Sequence, residues 1–80
     1  MYFVYILKSE THQTHYYGST QDIGARLKAH NAGKVRYTKG RRPWRLIYSE
    51  PCESRSEAVR REQFFKTIEG YDWLKRASII

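Results

Sequence analysis

The most constraining feature of this 80-residue chain is the run Tyr2-Phe3-Val4-Tyr5-Ile6-Leu7, which is apolar at odd and even positions alike. A strand sends successive side chains to opposite faces, so a strand apolar at every position needs both faces covered. The run therefore predicts a central strand with structure packed on each side. After a polar turn, residues 14–19 (Thr-His-Tyr-Tyr-Gly-Ser) form a shorter aromatic strand that pairs with the first as a hairpin. Residues 44–49 alternate Trp44, Leu46 and Tyr48 against Arg45, Ile47 and Ser49, a third strand that Pro51 ends.

Helical spacing fills the remainder. Thr20 is an N-cap for a helix over residues 21–32, with Ile23 and Leu27 on one side, Arg26 and His30 on another, and Gly33 as the stop. Gly24 weakens it slightly. Ser54 with Glu57 three residues on is a capping box for a helix running to about Thr67, and a last short helix covers residues 71–77. Eighty residues make one domain with a small core, which excludes a two-domain enzyme; 40% hydrophobic and 15% aromatic residues exclude a disordered chain.

Fifteen basic against eight acidic residues give a formal net charge of +7. Almost all of it falls in residues 34–45, where Lys34, Arg36, Lys39, Arg41, Arg42 and Arg45 meet no acid. With Tyr37 and Trp44 interleaved, this loop fits a surface that contacts a nucleic-acid backbone better than one that lies on a membrane; the alternative is a flexible solvated loop. Cys52 has no mate for a disulfide, and His12, His15 and His30 lack the spacing of a metal site. The apolar opening, residues 1–7, has no basic stretch before it and is too short for a secretory segment or a bilayer span, so the expected address is cytoplasmic.

The anomaly of the second helix is Glu62, which falls on the stripe Ala58, Val59, Phe65 and Ile68. A carboxylate among apolar side chains needs a partner, because desolvating it alone costs several kcal/mol. Three readings stand: an ion pair with an arginine, an edge position that reaches water, or a metal ligand. Tyr5, Tyr16 and Tyr17 pack as strand residues ordinarily do, or serve as bases if cations stabilise a phenolate. Arg26 and His30 form either a donor pair for a phosphate or a solvated basic helix face.

Taken in order, Phe3-Val4-Tyr5, Tyr16-Tyr17-Gly18 eleven residues after Tyr5, Arg26, His30 one turn beyond it, and Glu62 in a later helix resemble the GIY-YIG nuclease superfamily. The resemblance covers about residues 2–76 and is closest to its small standalone bacterial members, with a basic segment at residues 33–38 before a strand at residues 42–48. It implies an α+β fold, a small three-stranded antiparallel sheet flanked by helices, in a single domain over residues 1–77 with residues 78–80 as a tail. It also implies a DNA endonuclease, selective for structures such as branches or nicks and linked to repair or recombination. Under that resemblance Tyr16 leads as general base and Tyr5 supports the water or the phosphate. Arg26 contacts the scissile phosphate, His30 assists it or a phenolate, and Glu62 is the sole protein ligand of one Mg²⁺ or Mn²⁺ ion, weakly held without DNA. Arg26 and the ion are expected to lower a tyrosine pKa. Double-strand cleavage would need a homodimer or a partner protein. Two positions depart from the pattern: Phe3 replaces a glycine and Tyr17 an aliphatic residue. The rival expectation is a non-catalytic module that binds DNA or structured RNA with the same fold; a purely structural basic protein leaves Glu62 without an account.

Overall fold

The computed structural model describes residues 1–80. Its elements are β1 (Tyr2–Ser9), β2 (His15–Thr20), α1 (Ile23–Asn31), β3 (Trp44–Cys52), α2 (Arg55–Phe65) and α3 (Ile68–Arg76), with a 3₁₀ turn at Lys39–Arg41. The strands form one antiparallel sheet in the order β2-β1-β3, so β1 is central and the other two are edges. This is the α+β arrangement expected.

β1 separates two cores. Val4 and Ile6 join Cys52, Ala58, Phe65 and Leu74 on the face covered by α2 and α3. Tyr5 and Leu7 join Trp44, with Tyr16 and Leu27 packed beside them, on the face crossed by α1. Fully burying one such aliphatic contributes about 1.5–3 kcal/mol, a large share of the stability of a small domain. The chain's end returns to the first core, where Ile79 and Ile80 are half-buried.

Several boundaries differ from expectation, each for a local reason. β2 ends at Thr20, whose hydroxyl accepts from the Asp22 amide at 3.2 Å, so the α1 cap is Asp22, accepting from Ala25 N at 3.0 Å. β3 continues through Pro51 to Cys52, because an edge strand can turn a missing N–H toward solvent. A bulge opposite Ile6 and Leu7 inserts Ile47, so Leu46 pairs with Leu7 while Tyr48 pairs with Ile6, and the strict alternation over residues 44–49 is broken. The long second helix is two: α2 is capped by Ser54 as expected, but stops at Phe65, and Thr67 caps α3 by accepting from Gly70 N at 3.0 Å. Ile68, placed on the α2 stripe, sits in the first turn of α3 and is 83% exposed. A β-carbon on Gly70 would fall 1.9 Å from the Phe64 carbonyl, so the helix junction needs glycine there.

On the α2–α3 side, Arg61 donates twice to Glu50, Nε to Oε1 at 2.9 Å and Nη2 to Oε2 at 3.1 Å. Its guanidinium lies 4.6–4.9 Å from the ring centroids of Phe64, Phe65 and Trp73. Tyr48 donates to the same carboxylate, and burial with that neighbouring charge pushes its phenol up to about 12.

Candidate active site

The sheet face under α1 collects four of the expected site residues. Tyr5 pairs across the strands with Gly18, and the absence of a side chain there lets its ring reach over β2. Its hydroxyl lies 3.0 Å from Nε2 of His30, in the last turn of α1. His30 is fully buried, and burial, with the Arg26 charge second, lowers its pKa to about 4. It is therefore neutral near pH 7, and Arg26 with His30 is no solvated basic helix face.

A buried threonine sets the imidazole's orientation. Thr38 Oγ1 lies 2.7 Å from His30 Nδ1 and donates to the Val35 carbonyl at 3.3 Å. With that hydroxyl proton committed, Nδ1 donates to Thr38, and the Nε2 lone pair accepts from Tyr5; the tautomer is assigned from these partners.

Arg26 stands one turn before His30, beside the phenols of Tyr5 and Tyr16, and interaction with Tyr5 foremost raises its pKa. The Tyr16 ring packs edge-on to His30 at 4.9 Å and lies 6.4 Å from Tyr5. The expectation that Arg26 lowers a phenol pKa is right in sign for its own contribution, but burial outweighs it, and Tyr16 and Glu62 add to the burial effect, so Tyr5 titrates above its ordinary value. At rest the Tyr5 phenol keeps its proton.

Glu62 stands on α2, and its charge is the smallest of the causes that bear on the Tyr5 pKa. Its side chain is 16% exposed, and Oε2 accepts from Lys66 Nζ at 3.0 Å. The ion pair is thus with Lys66, the C-cap of its own helix, and no arginine serves it. No three His, Cys, Asp or Glu residues converge on one point. That donor set does not fit a closed all-protein cage. One hard carboxylate does fit an ion such as Mg²⁺ that keeps several waters and takes substrate oxygens.

The six basic residues, Lys34, Arg36, Lys39, Arg41, Arg42 and Arg45, are all exposed. Two of them have internal partners: Arg45 Nε pairs with Glu10 at 2.7 Å, and Arg42 Nε donates to the Lys39 carbonyl at 2.8 Å while its guanidinium covers Gly33, whose φ is +78°. The segment is anchored at both ends. Thr38 is buried against His30, and Trp44, read as interleaved surface, is only 3% exposed, its indole donating to the Thr38 carbonyl at 2.9 Å. Asn31 clamps the Trp44 backbone, accepting from its N at 2.6 Å and donating to its O at 2.9 Å. Tyr37 remains at the surface, 70% exposed.

Thr38, Asn31 and Lys66 were not anticipated. Only Lys66 carried a signal, its i,i+4 spacing from Glu62; the other two act through contacts eight and thirteen residues away that no local pattern announces.

The family model described as the GIY-YIG catalytic domain matches residues 1–71. The UPF0213 protein SH2523 of Staphylococcus haemolyticus is 45% identical over 75 residues, covering 92% of this chain and 90% of that one. The UPF0213 protein SA0446 of Staphylococcus aureus is 45% identical over 67 residues, covering 82% and 80%. The solution NMR structure of the UPF0213 protein BH0048 from Bacillus halodurans is similar, with a TM-score of 0.55 and 34% identity over 95% of this chain and 83% of that one.

Proposed function

The chain belongs to the GIY-YIG family of nuclease domains, and on that premise we propose that it is a divalent-metal-dependent endonuclease that hydrolyses DNA phosphodiester bonds. The observation that carries this reading is the convergence of Tyr5, Tyr16, Arg26 and His30 on one sheet face, with the Glu62 carboxylate acting on Tyr5.

In this reading Tyr5 is the general base, a reversal of the order in which Tyr16 led, because Tyr5 has a proton acceptor in hydrogen-bonding distance. The attacking water gives its proton to the Tyr5 oxygen as the Tyr5 proton moves to His30 Nε2, leaving an imidazolium whose Nδ1–H stays on Thr38; as the water oxygen bonds to phosphorus, the bond to the leaving deoxyribose oxygen breaks and that oxygen takes a proton from solvent. Arg26 binds the scissile phosphate through its guanidinium fork, which places positive charge where the transition state gathers negative charge. The phosphate in turn screens Arg26, removing one of the two causes that depress His30. Glu62 would hold the ion, Mg²⁺ or Mn²⁺, which supplies Lewis-acid polarisation of the phosphoryl oxygens when bound. Tyr16 orients Arg26 and the phosphate. The basic segment holds the strand by its phosphates.

One such site cuts one strand per encounter, so double-strand cleavage takes two protomers, a partner protein or two visits. Branched or nicked DNA in repair or recombination is the setting this chemistry serves, and the cytoplasm its place. No helix is long and apolar enough to cross a membrane.

The test compares nicking of plasmid and branched DNA, with Mg²⁺ or Mn²⁺, by the native chain and by Glu62→Gln, Tyr5→Phe and Tyr16→Phe. Glu62→Gln and Tyr5→Phe are expected to bind DNA normally and to lose nicking by about 10²–10⁴-fold, with a smaller loss for Tyr16→Phe. Equal nicking by all four chains overturns the proposal. DNA binding without metal-dependent nicking by the native chain favours the non-catalytic module.

A further inference from the structure

Beside the catalytic group, on the free edge of β2, lies a cleft of about 600 Å³ lined by His15, Tyr16, Tyr17, Tyr37 and Lys66. Neighbouring strand residues point to opposite faces, so Tyr16 and Tyr17 line one cleft only because it wraps around the sheet edge. Three of its five residues are phenols, and the exposed Tyr37 ring stands 5.9 Å from Tyr16, tilted at 44°. The Arg41 guanidinium lies 6.0 Å from the Tyr37 centroid. Folding does not require a large ring left in water on the most basic segment of the chain.

We propose that this cleft receives one unpaired nucleobase, stacked on Tyr37, so that the site takes single-stranded or frayed DNA at the scissile phosphate; this rests on the nuclease reading above. Phosphates do not stack, whereas every base has an apolar face that matches a phenol ring. A duplex base is already stacked and paired, and must leave the helix to enter. Lys66, whose ammonium pairs with Glu62, lines the cleft and Arg41 stands over Tyr37, so two cations are at hand for the phosphates that flank a bound base. Burial, with Lys8 second, keeps the His15 pKa below its ordinary value, so a neutral imidazole offers hydrogen bonds to a base edge. The volume lies within the range of small-ligand pockets. Tyr16 ties the cleft to the catalytic group, since its ring contacts both His30 and Tyr37.

The test measures binding in EDTA, apart from cleavage, by fluorescence anisotropy. The probes are a fluorescein-labelled single-stranded thymidine oligonucleotide, the same strand with abasic sites, and a duplex of equal length. Tyr37→Ala is expected to weaken single-strand binding roughly tenfold and Tyr37→Phe by less than about twofold. Abasic sites should impose the same loss on the native chain and none further on Tyr37→Ala. Duplex binding should change little. Equal binding of intact and abasic strands by the native chain, or equal weakening of single strand and duplex by Tyr37→Ala, overturns the cleft proposal even if the protein nicks DNA. Base-dependent binding that needs Tyr37, with no nicking in Mg²⁺ or Mn²⁺, upholds the cleft and overturns the nuclease reading instead.

Discussion

The Tyr5 phenol rests on the backbone of Gly18: a β-carbon there would fall 2.5 Å from the hydroxyl oxygen and 2.6 Å from Cζ. Both atoms belong to a buried phenol held between a strand and His30, so the side chain cannot simply swing away. Gly18→Ala gains about 0.5–1 kcal/mol from the lower backbone entropy of alanine but overpacks by about 1–3 kcal/mol, so overpacking wins. The melting temperature should fall by several degrees, and the bond from Tyr5 to His30 should be lost. An unchanged melting temperature would show that the ring moves freely.

His30 makes stability depend on pH. Its folded pKa of about 4 lies below the ordinary 6.5, so between those values the unfolded chain binds more protons. The stability present above pH 6.5 is lost as the pH falls toward 4, by at most on the order of 3 kcal/mol. Burial raises the Glu50 pKa, but Arg61 and Tyr48 outweigh it and leave it below 4.5, so its loss comes at lower pH. Urea unfolding at pH 7, 5.5 and 4.5 should show this slope in the native chain and a shallower one in His30→Gln. Parallel slopes would remove His30 as the source.

The Lys66 ammonium occupies the carboxylate that the reading above assigns to an ion. Lys66→Ala should tighten Mn²⁺ binding to the DNA-free protein about two- to fivefold, in keeping with a pair whose ammonium is largely solvated, and Glu62→Gln should abolish it. Manganese electron paramagnetic resonance measures the bound fraction directly. Indifference of binding to both substitutions would place any ion elsewhere.

Arg36 and Lys34 are exposed, with no side-chain partner, whereas Arg45 is paired with Glu10. Replacing Lys34 and Arg36 together by alanine should flatten the slope of log affinity against log salt for duplex DNA by about 1.8. Arg45→Ala should flatten it by less than half as much, since part of its charge is already neutralised. Anisotropy titrations from low to moderate salt give both slopes, and an unaltered slope for the double variant takes residues 34–36 out of the interface.

Much of the fold was legible because it was written locally. The two-sided apolar run foretold a central strand, Ser54 with Glu57 marked the start of α2, and Gly33 ended α1 in a left-handed conformation. Illegible features depend on competition or on distance. Thr20 and Asp22 are both good caps, and only the end of β2 decides between them. Thr67 could have continued α2, but it caps α3 instead. The bulge at Ile47 is invisible to a pattern of alternation. Within the site, residue types marked Tyr5, Tyr16, Tyr17, Arg26, His30 and Glu62 as candidates, and only the family resemblance set Tyr5 and Tyr16 apart from Tyr17; that His30 is buried and neutral, held by Thr38, follows only from the chain folding back on itself.

β1 is a wall shared by two rooms: even-numbered side chains furnish one and odd-numbered side chains the other. A register slip of one residue would exchange the contents, putting Val4 and Ile6 where a phenol is wanted and Tyr5 among aliphatics. Neither room can be redecorated alone, and neither can stand after the other falls. A polymer this short keeps no spare masonry, so the domain should melt in one step, and its tolerance for change should be lowest along this single strand.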